Sequence, residues 1–299
     1  NNIGRISIVV LLVVAMALFL RSLRRITGAT DTELNAVNNG LVLRYPLLSA
    51  NVIILGLTQF AFVDPPFIFN CIFWIISAVS LSFVLDGHIK RYWQMVWLVF
   101  VFLFIIACAN NLMLQASRIE RWFMIILAGT GVIFGSFVLL NGRKKDLKEG
   151  LILYFIAFMV ILELFSILAN VYGRYNFSKT LLISGYLNVI IGILFLWIVR
   201  LINEALFLAS SVYTKQERKL FYINFDRVGE RASPMFYFLL VIGWFILIGR
   251  SFYLFRLISE PLKGLFLAER TIGNYTFTIN NLLIFFLIIF VSLLTSKIV

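Results

Sequence analysis

Apolar residues in this chain gather into runs of about twenty, divided by short polar and charged stretches. Wound as a helix at about 1.5 Å per residue, such a run crosses the roughly 30 Å hydrocarbon core of a bilayer. Nine runs fit that template: Ile6–Leu20, Arg44–Val63, Phe67–Leu85, Trp93–Leu114, Trp122–Leu140, Leu151–Val171, Thr180–Val199, Pro234–Gly249 and Asn280–Lys297. Trp93 and Trp97 open the fourth as interfacial anchors. Most connections are short, among them Asp64-Pro65-Pro66 and Asp86-Gly-His-Ile-Lys-Arg91, so neighbouring runs pair as hairpins. The pattern predicts an all-α polytopic membrane protein of about nine transmembrane helices in hairpins. Three parts are expected: a hairpin array over 1–199, a loop over 200–233 whose mixed charges suit a solvated helical hairpin, and a last hairpin over 234–299.

The stretch before the ninth run has a different pattern. From Phe252 to about Arg270, apolar residues recur at helical spacing (Phe252, Phe255, Ile258, Leu262, Leu265), with Arg256, Glu260, Lys263 and Arg270 between them. An amphipathic helix lying in the membrane interface has that pattern, and Pro261 interrupts it. Pro261, Gly264 and Gly273 are candidate flexible connections, and Arg256, Lys263 and Arg270 are candidate partners for lipid headgroups. Gly273-Asn274 predicts a turn, and Tyr275-Thr-Phe-Thr-Ile279 alternates as an extended segment does. The sequence begins Asn-Asn and stops one lysine after its last apolar run, so it reads as a piece of something longer.

Composition names the solvent. Hydrophobic residues make up 62% of the chain and charged residues 13%, with a mean hydropathy of +0.98, whereas soluble domains run near half apolar and about a quarter charged. The formal charge of +12 does not point to nucleic acid, because the bases sit at the ends of apolar runs, as cationic loops of membrane proteins do. With the N-terminus outside and the C-terminus inside, 17 of the 26 Lys and Arg fall on the inner side. That bias predicts N-out/C-in orientation. Cys71 and Cys108 both lie inside apolar runs, where they read as small hydrophobes rather than a disulfide or metal framework.

Chemistry inside the spans would rest on polar residues. Glu163 is the one acid deep within a run; Gln59, Asn110, Asn111, Asn170 and Asn188 accompany it elsewhere. Glu163 reads either as a proton relay or as one end of an interhelical hydrogen bond. Gly131 and Gly135 form a GxxxG that lets two helices approach closely, with Gly129 beside it. Asn176-Phe-Ser178 and Asn274-Tyr-Thr276 match the glycosylation sequon, a weak signal. His88 sits in a charged loop and reads as solvated. No hydrolase, metalloprotease or P-loop motif occurs, so no enzyme activity, cofactor or metal is expected.

The segments Ser184-Gly-Tyr-Leu-Asn-Val-Ile, Trp197-Ile-Val-Arg-Leu-Ile, Glu260-Pro-Leu and Glu269-Arg-Thr-Ile-Gly-Asn-Tyr-Thr-Phe-Thr-Ile resemble the membrane domain of the small-conductance mechanosensitive channel family, in its large multi-span, potassium-dependent branch. The likeness covers Ser184–Val299; before that, only the hairpin architecture matches. It implies a homo-heptamer in a bacterial inner membrane, with lipids as its partners. It also implies that a second span, a Gly/Ala-rich pore helix and a β-rich cytoplasmic vestibule follow Val299. On this reading the chain is the tension-sensing part of a channel, and none of its own residues conducts ions. Two other classes fit the span pattern: a secondary transporter coupled through Glu163, and a membrane scaffold subunit. The in-span prolines Pro46 and Pro234 lie at span ends, and no inverted pair of broken helices is evident for a transporter.

Overall fold

A computed structural model describes residues 2–29, 40–59, 67–113, 117–141, 150–215, 241–247, 249, 268, 270–272 and 275–278. In chain order the elements are α1 (Asn2–Ala29), α2 (Leu41–Arg44), α3 (Pro46–Thr58), α4 (Phe67–Val84), α5 (Arg91–Leu112), α6 (Arg118–Leu140), α7 (Leu151–Val171), α8 (Tyr175–Lys215), β1 (Arg270–Ile272) and β2 (Tyr275–Phe277). Six of these helices are long and apolar enough to cross a membrane; α3, at 13 residues, is an apolar helix below that length. The protein is a multi-pass membrane protein, helical through its described spans. Of the nine expected runs, the first and the third to seventh correspond to these six helices, the second to the shorter α3, and the eighth contains a described helical segment over 241–247. The ninth run, Asn280–Lys297, lies outside the described residues.

Helix faces show which solvent they meet. On α6 the inward positions are Glu120, Met124, Leu127, Ala128, Gly131, Gly135 and Val138, three of them Ala or Gly, while Trp122, Ile126, Ile133, Phe137 and Leu140 point outward and are exposed. Bulky apolar residues outside and small ones inside reverse the pattern of a water-facing helix. Apolar side chains are free to face lipid, and small ones let backbones approach. α1 carries a similar outward stripe at Val10, Leu11, Val14 and Leu18.

Local signals explain the breaks between helices. Pro46 opens α3 at its first position, and the residue before it, Tyr45, is held out of the helical region at φ −133°, ψ 75°, as a following proline requires. The helix of the second run therefore starts at Pro46 as α3, with the separate short α2 ahead of it. α7 ends at Gly173 (φ +78°), with Arg174 N–H donating to Ala169 C=O at 2.8 Å and Gly173 N–H to Asn170 C=O at 3.0 Å. Those two bonds form a Schellman stop, so α8 begins only three residues after α7. Gly87 (φ +71°) makes the corresponding turn between α4 and α5.

Around α8 the bundle is built. Its 41 residues span about 60 Å at 1.5 Å per residue. Every other helix packs on it, and its central stretch over 181–199 is buried throughout. The expected boundary at Val199–Arg200 is thus corrected: α8 runs on to Lys215, with Leu201, Ala205, Leu208 and Ala209 buried against the bundle. The helical pattern of Ile198, Leu201, Ala205, Leu208 continues through the charges at Arg200 and Glu204, which took that segment for a loop. The remainder of the expected loop, 216–233, lies outside the described residues.

The all-α expectation also gains a strand pair. β1 and β2 form an antiparallel hairpin with Ile272 opposite Tyr275 and Arg270 opposite Phe277. This meets the extended pattern read from Tyr275, while Gly273 and Asn274, read as a turn, lie outside the described residues. Arg270 itself belongs to the strand, so the amphipathic pattern gives way to extended chain there.

Candidate functional site

Polar side chains in the bundle lie in two layers and one point between them. At the first layer, Ser117 caps α6: its hydroxyl accepts from Glu120 N–H at 3.0 Å. The Glu120 carboxylate does not return to the cap but accepts from Lys179 Nζ at 2.8 Å and from the Tyr175 hydroxyl, while Lys179 donates to Met113 C=O. The start of α6, the end of α5 and the start of α8 are thereby clasped. Asn170 Nδ2 donates to Arg121 C=O at 3.2 Å in the same layer.

The second layer joins the other ends. Arg44 Nη1 donates to Asp86 C=O at 2.6 Å, and Gln94 donates to Asp86 Oδ1 at 2.9 Å. Glu204 accepts from Val42 N–H at 3.1 Å, so it caps α2 from α8. Arg200 meets His88 at 3.2 Å and lies 4.8 Å over the Trp197 ring; His88 is exposed and tied to α8 rather than simply solvated. Asn141 donates to Tyr92 at 3.0 Å. From Lys179 to Arg200 along α8 is 21 residues, about 30 Å at 1.5 Å per residue, the thickness of a bilayer's apolar core.

Glu163 lies between the layers. It is wholly buried on α7, and neither carboxyl oxygen has a hydrogen-bond partner. Gly185 on α8 is the reason the carboxyl fits: a Cβ there would stand 2.5 Å from Glu163 Oε1. A Cβ on Gly131 would meet the Tyr186 hydroxyl at 2.5 Å and Glu163 Cγ at 3.4 Å. The Tyr186 hydroxyl is committed to Leu127 C=O of α6 at 2.7 Å. Glu163 therefore occupies a node of α6, α7 and α8 floored by two glycines, with a tyrosine beside it.

The other residues singled out from the sequence divide clearly. Gly135 lets α7 approach, since a Cβ there would meet Val160 Cγ2 at 2.6 Å; Gly129 faces nothing within 4 Å. Asn188 bridges two elements, donating to Phe155 C=O at 2.8 Å and accepting from Trp244 Nε1 at 3.0 Å. Gln59 and Asn110 are buried. Cys71 and Cys108 are free and buried in the main core. Arg270 is exposed on β1. Arg256, Pro261, Lys263, Gly264 and Gly273 lie outside the described residues.

Two features went unread in the sequence. The Ser117 N-cap of α6 was visible as a serine ahead of an apolar run. Gly185 carried no signal of its own, because its importance comes from Glu163, 22 positions away. Compared with known protein families, characterised proteins and solved structures, the chain matches none.

Proposed function

We propose that this chain is the tension-sensing transmembrane part of a mechanosensitive ion channel of the small-conductance type, opening on membrane stretch to release ions and small solutes. The observation that carries this reading is the β1–β2 hairpin within the Glu269-Arg-Thr-Ile-Gly-Asn-Tyr-Thr-Phe-Thr-Ile motif, directly ahead of a spanning run. The resemblance to that family rests most heavily on this segment. A bundle whose outward faces are lined with bulky apolar groups supports it. Stretch favours the conformation of larger in-plane area, and tension times that area change must supply a few kcal/mol to shift the populations.

In this proposal the N-terminus is outside and the C-terminus cytoplasmic in a bacterial inner membrane. Arg21, Arg24, Arg25, Arg44, Lys90, Arg91 and Arg200 then lie on the cytoplasmic side. Seven copies assemble, Arg256, Lys263 and Arg270 hold headgroups, and Pro261, Gly264 and Gly273 flex. Ile272 pairs with Tyr275, leaving Gly273 and Asn274 as a two-residue connection, and the favoured turns of that length need positive φ at the first position. Proline is fixed near −65°. Gly273→Pro in the full-length protein is expected to shift the opening threshold in pressurised membrane patches; a patch with no stretch-activated current, or an unchanged threshold, removes this reading.

The unpaired carboxyl of Glu163 favours a second reading, a transporter coupled through it, since buried acids in spans mark proton and ion paths. Glu163→Gln keeps the volume and removes the acid. It is expected to abolish proton-coupled uptake if the transporter reading holds, and to leave the stretch response in place if the channel reading does.

A further inference from the structure

At the second polar layer, α5, α7 and α8 fail to close against one another. A partly open apolar cleft of about 60 Å³ lies there, continuous with the outside and lined among others by Ile89, Trp93, Trp97, Ile152, Ile193 and Trp197. Its walls offer water almost nothing to bond, and apolar cavities of this kind stay dry and accept apolar guests. One wall residue is the exception: Trp93 is buried, yet its indole N–H has no acceptor. A buried donor left so is costly unless an acceptor arrives. Among the described residues the polar rim carries more cations than acids, and Asp86, which follows the lining residue Leu85, is engaged by Gln94. Arg200 lies over the Trp197 ring at 4.8 Å, and exposed Lys90 and Arg91 flank Ile89 and Trp93 in the chain. The nearest acid on α8, Glu204, is one turn further on and is engaged by Val42 N–H.

An apolar slot, a lone N–H donor and a mostly cationic rim at headgroup depth describe a single amphipathic anion. We infer that the cleft binds one acyl chain of an anionic phospholipid, with Trp93 donating to an ester oxygen and Arg200 pairing with the phosphate. Tryptophan at a membrane interface suits this role, since its body is apolar and its N–H seeks a polar partner. The site requires only that the second layer sit among headgroups, so it stands or falls separately from tension gating.

The test uses the intact chain in vesicles, with Trp122→Phe removing the most exposed tryptophan, 67% accessible on α6. Phosphatidylglycerol with dibrominated chains is titrated in, and tryptophan fluorescence is read. Contact quenching is expected to saturate at a low mole fraction, several-fold below that needed with dibrominated phosphatidylcholine. Arg200→Gln is expected to erase that preference. Trp93→Phe, which keeps the ring and loses the donor, is expected to weaken saturation several-fold, with Trp97 and Trp197 still reporting. Ile152→Phe, which fills the cleft, is expected to abolish the saturable phase. Quenching that only tracks bulk mole fraction, that is equal for the two lipids, or that survives Ile152→Phe overturns the site.

Discussion

Gly129, Gly131 and Gly135 lie within two turns of α6, and only the last two face a neighbouring helix. The spacing alone makes Gly129 and Gly131 look equivalent as small residues; the packing separates them. Gly185 shows the same dependence on surroundings, because its missing Cβ is the space in which the Glu163 carboxyl lies. Gly185→Ala therefore overpacks the node and is expected to cost about 1–3 kcal/mol. Gly129→Ala meets open space and is expected to be neutral, or to stabilise by up to about 1 kcal/mol through helix propensity. Thermal unfolding of the two variants in the same lipid checks the contrast; equal midpoints would mean that α6, α7 and α8 do not pack this closely.

At the scale of elements, the order and kind of most helices were legible in the apolar runs. α7 has the bounds read from the sequence, and α4, α5 and α6 differ by a few residues at their ends. Two elements were misread for physical reasons. α3 starts at Pro46 rather than at Arg44, because the residue before a proline leaves the helical region. α8 outruns its apolar window because a helix continues through Arg200 and Glu204 when both find partners and the opposite face stays buried. The clasp at the start of α8 should be more than ornamental. Lys179 and Glu120 expose only 12% and 4% of their side chains, and removing one partner of so buried a pair typically costs about 3–5 kcal/mol. Lys179→Met is expected to lower stability by about that range, and the double variant with Glu120→Gln to recover part of it. Unfolding measurements on the singles and the double check this, and additive effects would mean the two groups do not interact.

For the whole molecule, hydrogen bonds alternate between the two ends: Lys179 to Met113, then Arg44 to Asp86, Asn170 to Arg121, then Asn141 to Tyr92. Consecutive helices therefore run antiparallel, and the Lys90 turn and the Arg174 turn lie at opposite ends. In a background with Cys71 and Cys108 replaced by alanine, Lys90→Cys and Arg174→Cys are expected to react with a membrane-impermeant maleimide from opposite sides. With the proposed orientation, Arg174→Cys labels in intact cells and Lys90→Cys only after lysis. Labelling of both from one side would overturn the alternation. Composition and the length of apolar runs were enough to determine that this chain lives in lipid and crosses it repeatedly, because burying that much apolar surface needs a solvent other than water, and a lipid-exposed backbone must bond within its own helix. Which helix would be central, which glycines matter, and where an acid and an apolar cleft would sit were decided by the tertiary structure alone. Those properties arise from the meeting of residues far apart in the chain, such as Glu163 with Gly185 and Tyr186 with Leu127, and runs of apolar residues carry no record of which faces will meet.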